Sequence, residues 1–169
     1  VNLMDKEQMA IDIAKAKELS DFVVVCPHWG TEYVLKASSY QKEYAQFFLE
    51  NGVDLVIGTH PHVIEPVEIL KDDFGNEMLV YYSLGNFVNW TSSSGDGIAN
   101  RMVGGMAQVT LEMDENQQVY IKEYGVEPLV SHLQQGVNGV TVYPLDDYTK
   151  ELAVQNEIIK QDAAFSLEY

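Results

Sequence analysis

One cysteine, Cys26, occurs among the 169 residues, which excludes an internal disulfide and any metal site made of several thiolates. Lying at the end of an apolar run, it is expected to be a small buried hydrophobe rather than a nucleophile, so a Cys–His pair is disfavoured. Basic residues are scarce: 10 Lys and Arg face 26 Asp and Glu, giving a formal net charge of −16. Such a surface repels nucleic acid and other polyanions at long range and leaves cations as the ligands that the charge favours. No apolar stretch approaches the ~20 residues of a membrane-spanning helix, and no signal peptide opens the chain. There is no phosphate-cradling G-x-x-x-x-G-K-[ST] loop and no nucleophile elbow, since Ser83 precedes Leu84-Gly85. Repeats and low-complexity segments are also missing. What is there suffices to fold: 46% of the residues are hydrophobic, with 10 Tyr and 6 Phe, in a length suited to one domain with a single core. The opening Val1-Asn2-Leu3, directly before a helix and without an initiator Met, is what a segment of a longer protein is expected to look like.

Residues 5–21 place Met9, Ile13, Ala16 and Leu19 at helical spacing, with Asp5 as N-cap and Ser20-Asp21 as the stop. FVVVC (22–26) is a continuous apolar run, the pattern of a strand covered on both faces. A second helix is predicted from Ser38 or Ser39 to Asn51, turning Tyr40, Tyr44, Phe47 and Phe48 inward, with Asn51-Gly52 closing it. VDLVIG (53–58) is the next buried strand. Strand, helix and strand in about 35 residues make a βαβ unit, and its two strands should be parallel. Strands are then predicted at 67–71 and 78–84 around a turn at 72–76. The polar stretch 88–100 lacks apolar anchors and is expected to be a mobile loop. A hairpin follows, 105–113 with 118–127, turning at 114–117. A short strand within 136–145 and a closing helix at 146–161, capped by Asp146 or Asp147, complete the chain. The expected class is α/β, a parallel βαβ core followed by antiparallel strands.

Three of the four histidines sit just past the ends of the two parallel strands: His28 in PHWGTEY, and His60 and His62 in GTHPHVIEPVE. Ligands of open α/β sheets bind beyond the carboxyl ends of parallel strands, where the loops converge. Adjacent strands lie roughly 4.8 Å apart, so the three imidazoles are expected in one small cleft. Imidazole is the commonest neutral metal ligand and suits Zn, Mn, Fe or Ni. Glu32 and Glu65 are close enough in sequence to join it. Pro61 stiffens the backbone while the i, i+2 spacing points the His60 and His62 rings apart, so one can hold a metal and the other a second metal or a substrate oxygen. Asn86, in YSLGNFV, either donates to an oxyanion or binds a metal through its carbonyl, or else simply ends a strand with Gly85. His132 has no such company and is expected to be structural. The glycosylation sequon Asn89-Trp90-Thr91 is too short a pattern to carry weight.

HWGTEY, GVDLVIGTHPHVIEPVE and YYSLGNFV, in that order and spacing, resemble the bacterial capsule-synthesis proteins of the poly-gamma-glutamate (CapA) type, whose fold is similar to calcineurin-like metallophosphoesterases. The motifs span residues 22–88, the family's C-terminal half, and the tail to Tyr169 fits more loosely. His28 and Glu32 fall on the family's H-W-G-x-E, His60 and His62 on its G-x-H-P-H, Glu68 on the Glu closing that block, and Asn86 on S-L-G-N-F. The resemblance implies half of an αββα sandwich, residues 1–169 forming one domain, the C-terminal portion of a CapA-like protein. It implies a role in capsule or poly-gamma-glutamate biosynthesis, with the parent at the cell surface or membrane-associated outside the cell and this segment soluble. The chemistry expected is metal-assisted, on a phosphoester or an acyl or peptide-type bond. His28, His60 and His62 would bind a divalent metal ion or the substrate, Glu32 would orient or act as base, and Asn86 would donate to an oxyanion. The alternative is a non-catalytic module that binds or exports an anionic capsule polymer. Two departures stand out. Glu65 occupies a place where the family usually has Gln, and the family's N-terminal half, with its Asp, Asn and His motifs, is not in the chain. In the related phosphoesterases that half supplies several ligands of a two-metal centre. The site here is therefore expected to be incomplete, the upstream half of the same protein its missing partner, and the chain by itself inactive.

Overall fold

The computed structural model describes residues 3–134 and 139–167. In chain order its elements are helix α1 (Lys6–Leu19), strand β1 (Val24–Val25), helix α2 (Ser39–Glu50) and strands β2 (Leu55–Ile57), β3 (Val67–Lys71) and β4 (Glu77–Tyr81). A 3-10 helix (Ile98–Met102) leads into β5 (Val103–Met113), β6 (Val119–Leu133) and β7 (Val140–Pro144), and helix α3 (Lys150–Gln155) follows. The class is mixed α/β, with two sheets ordered β1-β2-β4-β3 and β5-β6-β7. β1, β2 and β4 run parallel, with Val24 opposite Leu55 and Leu55 opposite Leu79, and β3 returns antiparallel to β4. No helix among the described residues is long and apolar enough to cross a membrane.

Local chemistry explains the helix boundaries. The Asp5 carboxylate accepts the Gln8 amide and starts α1. Ser38 and Gln41 form a reciprocal capping box that starts α2, satisfying backbone donors that would otherwise lack partners. Helices and sheet meet through Phe48, Leu49, Val56 and Val80, with Ile13 of α1 joining them. The opposite face of the first sheet, through Leu55, Leu79 and Tyr81, packs on Ala107, Val109, Ile121 and Val126 of the second sheet. β2 and β4 are thus covered on both sides, which is why their sequences are apolar without alternation. Each large side chain so buried contributes about 1.5–3 kcal/mol.

β1 differs from expectation because it is an edge strand. Val23 and Val25 face the helices, but Val24 on the other face is 46% exposed and Cys26 is exposed rather than buried. Leu19 and Tyr40, expected inward, lie on the solvent side. Gln41 takes the inward place on α2 and is completely buried. The closing helix is broken. α3 is capped by Thr149 rather than by Asp146 or Asp147, and it stops at Asn156, where a further 3-10 turn (Glu157–Lys160) begins. The buried Asn156 amide explains the break. It donates to Ser131 O (3.1 Å) and Tyr148 Oη (3.0 Å) and accepts from the Leu133 amide (3.2 Å) and the Ile158 amide (3.1 Å). The stretch 88–100 does have anchors: Ile98 is buried and Trp90 packs with it. Gln161 Nε2 donates to the Thr91 and Ser93 carbonyls, strapping the loop down. The first residues of the predicted 136–145 strand, 136–138, lie outside the described ones, and β7 lies within the rest.

Candidate functional site

Beyond the ends of β1 and β2 the two backbones stay hydrogen-bonded. The Thr59 amide donates to Pro27 O and the Trp29 amide to Thr59 O, both at 3.0 Å, so that His28 lies opposite Thr59. Gly58 is required here: a Cβ would sit 2.1 Å from Tyr82 O and 2.5 Å from the Trp29 indole nitrogen. That close approach lets the indole N–H donate to Tyr82 O at 2.9 Å, joining the two loops above β4. His60 (φ 108°), His62 (φ 60°) and Tyr33 (φ 67°) are all left-handed, a conformation that costs a non-glycine residue on the order of 1–3 kcal/mol. The Tyr33 amide donates to Pro61 O at 2.7 Å, which ties the strained turns together.

The outcome is a cluster of rings and carboxylate. His28 and His60 have ring centroids 4.6 Å apart, and His60 and His62 6.0 Å. His62 Nε2 is 3.9 Å from Glu32 Oε1. Ligand atoms of Glu32, His60 and His62 all lie within 4.8 Å of one another, with Glu32 exposed and both histidines partly buried. The structure therefore brings His28, Glu32, His60 and His62 together, but Glu32 takes the place in the tight triplet that was expected of His28. His28 stands alongside, its Nδ1 3.3 Å from Thr59 Oγ1. That hydroxyl also reaches Pro27 O at 3.3 Å, so the Nδ1 side of His28 is anchored on Thr59 and its Nε2 side is left for the cluster.

Asn86 makes two contacts that the sequence does not announce. Its Nδ2 donates to Arg101 O (2.8 Å), and a carbonyl only accepts, so the amide orientation is settled. Oδ1 therefore faces His62 Nδ1 at 2.8 Å and must receive that ring's proton. In this arrangement Asn86 positions His62: it accepts the Nδ1–H and leaves the Nε2 edge turned toward Glu32. Sequence reasoning missed Tyr33 and Arg101. The Tyr33 ring stacks on His62 at 5.8 Å and 29°, and the Arg101 guanidinium carbon lies 3.5 Å above the Tyr33 ring centre. A cue was available for Arg101, since it is the sole arginine of the sequence.

A family model described as bacterial capsule synthesis protein PGA_cap matches residues 1–91. The chain belongs to this family. The PGA biosynthesis protein CapA of Bacillus subtilis (strain 168) is 42% identical over 82 residues, covering 47% of this chain and 20% of that protein. The capsule biosynthesis protein CapA of Bacillus anthracis is 37% identical over 95 residues, 52% of this chain and 22% of that protein. The matched segment is thus about a fifth of the length of these curated relatives. Every residue of the histidine cluster lies inside the PGA_cap match, and Arg101 lies outside it.

Behind the PGA_cap cluster is a buried polar patch. Glu65 is 2% exposed, accepts from Gln41 Nε2 at 2.5 Å, and has an Oε1 without any partner. Burial pushes its carboxyl above the ordinary range, against the Gln41 hydrogen bond. The neighbouring Tyr82 hydroxyl is pushed up to about 12 by burial and by the Glu68 and Glu65 charges. Glu68 itself sits on β3 opposite Val80, close to Tyr82 and outside the metal-ligand triplet. His132 is elsewhere, buried against Tyr143 and Tyr148, with Nδ1 2.8 Å from Tyr148 Oη.

Proposed function

We propose that this chain carries half of a divalent-metal site that serves bacterial capsule, or poly-gamma-glutamate, biosynthesis as a hydrolase or transferase. The observation that carries the reading is the gathering of Glu32, His60 and His62 at the carboxyl ends of parallel strands. The donor set fits a divalent ion, because it joins two neutral imidazoles to one carboxylate. Metal–ligand bonds of ~2.0–2.2 Å put tetrahedral ligand atoms roughly 3.4 Å apart, so small side-chain rotations are enough to close the 4.8 Å spread. Bound there, the ion would polarise a phosphoester or acyl oxygen and acidify a water.

The chain's own residues do the rest. Asn86 fixes the His62 tautomer, and the left-handed turns hold both histidines without waiting for a ligand. His28, with Nδ1 given to Thr59, has Nε2 left to accept a proton or bind a substrate oxygen beside His60. The relatives' names, PGA biosynthesis protein and capsule biosynthesis protein, support the pathway. Their greater length supports placing the remaining ligands in the upstream half. In this reading residues 1–169 are one domain, the two sheets and the helical layer are part of an αββα sandwich, and the parent works at the cell surface.

The test is calorimetric titration with Mn²⁺ and Zn²⁺, alongside hydrolysis assays on a phosphodiester and on poly-gamma-glutamate. This chain should bind weakly and turn over little. The parent should bind tightly and be active, and His60→Ala or His62→Ala should abolish that activity. A parent inert toward every phosphoester and amide would transfer support to a module that only binds or exports the polymer.

A further inference from the structure

We propose that Arg101 is the oxyanion-recognition residue of this site, its guanidinium taking a carboxylate or phosphate group of the ligand beside His62. The proposal deepens the metal-site reading by naming the group that the ligand carries. It rests on that reading only for its effect on turnover, and the binding event stands separately.

Arg101 is tied to His62 by two routes. One is the stack of guanidinium on Tyr33 and Tyr33 on His62. The other is the Asn86 amide, which bonds the Arg101 carbonyl through Nδ2 and His62 through Oδ1. The guanidinium is nevertheless short of partners. Of its five N–H donors, one from Nη1 reaches Thr91 Oγ1 at 3.3 Å, and Nε is buried with no acceptor at all. Among the described residues no carboxylate pairs with it, although the chain has 26 acidic residues. Four of the nine lysines, Lys6, Lys71, Lys122 and Lys160, have a glutamate partner.

Among the described residues, an arginine without a carboxylate partner in so acidic a protein keeps Nη donors for an arriving anion. The planar fork matches the two oxygens of a carboxylate or phosphate, and stacking on Tyr33 holds its plane in advance. Tyr33 is itself held in a left-handed conformation, so the platform is in place before any ligand arrives. A negative field over the rest of the surface makes a local cation of this kind favourable for an anionic ligand.

One arginine means one Nε–H resonance, so ¹⁵N-labelled protein reports on the site without assignment ambiguity. Inorganic phosphate and tri-gamma-glutamate are titrated separately into the metal-free chain at low salt. The resonance should shift and saturate with at least one probe. Phosphate alone would identify a phosphoester group, tri-gamma-glutamate alone a carboxylate, and both the shared chemistry. Arg101→Lys, which keeps the charge and loses the fork, should weaken binding roughly 10- to 100-fold while the His62 and Asn86 signals stay in place. An Nε–H signal that neither probe moves at millimolar concentration overturns the proposal, as does an Arg101→Lys variant that binds like the wild type. If the variant does not fold, the wild-type resonance still decides. Metal binding with a silent Arg101 removes this inference and leaves the metal site. An anion response without metal binding or turnover does the reverse.

Discussion

Asn86 controls a histidine that it does not resemble chemically. Its amide is oriented by one carbonyl, and that orientation dictates which nitrogen of His62 carries the proton. Asn86→Ala should therefore lower divalent-ion affinity about 10- to 100-fold with the ligands still present. Long-range ¹H–¹⁵N spectra of the imidazoles should show His62 losing its single tautomer. Unchanged affinity and tautomer would mean that the contact is incidental. Glu65 poses the opposite problem, a buried carboxyl with one unpartnered oxygen. Its folded pKa is raised above the ordinary 4.5, so the folded state retains a proton that the unfolded chain releases. Stability is thus lost as pH rises through the window above 4.5, and the loss is complete beyond the folded value. Glu65→Gln removes that dependence and keeps an acceptor for Gln41. It should stabilise the protein by about 1–2 kcal/mol at pH 8, with the gain shrinking toward pH 5, read as a difference in Tm at the two values. A variant less stable than the wild type at pH 8 would show that Glu65 is ionised and compensated.

At the scale of elements, Asn156 decides how the chain ends. Its side chain takes the place of helical bonding for residues 156–158 and joins β6 to Tyr148. Asn156→Ala would leave the Ser131 carbonyl and the Leu133 amide without this partner inside the fold. About 2–4 kcal/mol should be lost, seen as a lower urea midpoint with an unchanged m-value. A loss below ~1 kcal/mol would mean that α3 simply continues as a helix through 156. The 88–100 stretch depends on the same C-terminal segment. The Gly95 amide donates to Gln161 O and the Ala99 amide to the Asp162 carboxylate. These two amides should exchange more slowly than Ser92, Ser93 and Ser94. Uniformly fast exchange across 91–100 would restore the picture of a mobile loop.

For the whole molecule, a net charge of −16 means that folding compresses like charges together. Raising NaCl from ~0.05 to ~0.5 M shortens the screening length from over 10 Å to a few ångströms, so Tm should rise by several degrees. A fall in Tm would show that the exposed Lys–Glu pairs outweigh the repulsion. His132 adds a pH term. Burial lowers its pKa from 6.5, so the unfolded chain binds a proton that the folded one refuses, and stability declines as pH drops below about 6.5. Unfolding midpoints of the Glu65→Gln variant isolate this slope, because the opposing carboxyl is gone. His132→Gln should flatten it.

Much of this was legible in the chain itself. Apolar runs of the right length, a helix start at Ser38 or Ser39 and its close at Asn51-Gly52 set the βαβ order, and the histidines follow the strands directly, so their approach was dictated by covalent adjacency and strand spacing. Tertiary structure decided whatever depends on partners distant in sequence. Cys26 and Val24 are exposed because, among the described residues, that face of an edge strand is left open, a fact that no local pattern contains. Asn86 became a positioning residue because the carbonyl of Arg101 arrives from another loop, and Glu32 entered the triplet because the Tyr33–Pro61 bond folds one turn over the other. α3 breaks at Asn156 because β6 offers acceptors and donors that a helix would leave unmet. The sequence by itself determined which groups meet at the strand ends, since short-range geometry leaves them few alternatives. Their protonation, pairing and burial were decided by the tertiary structure, because those depend on the dielectric and hydrogen-bond partners that only packing brings together.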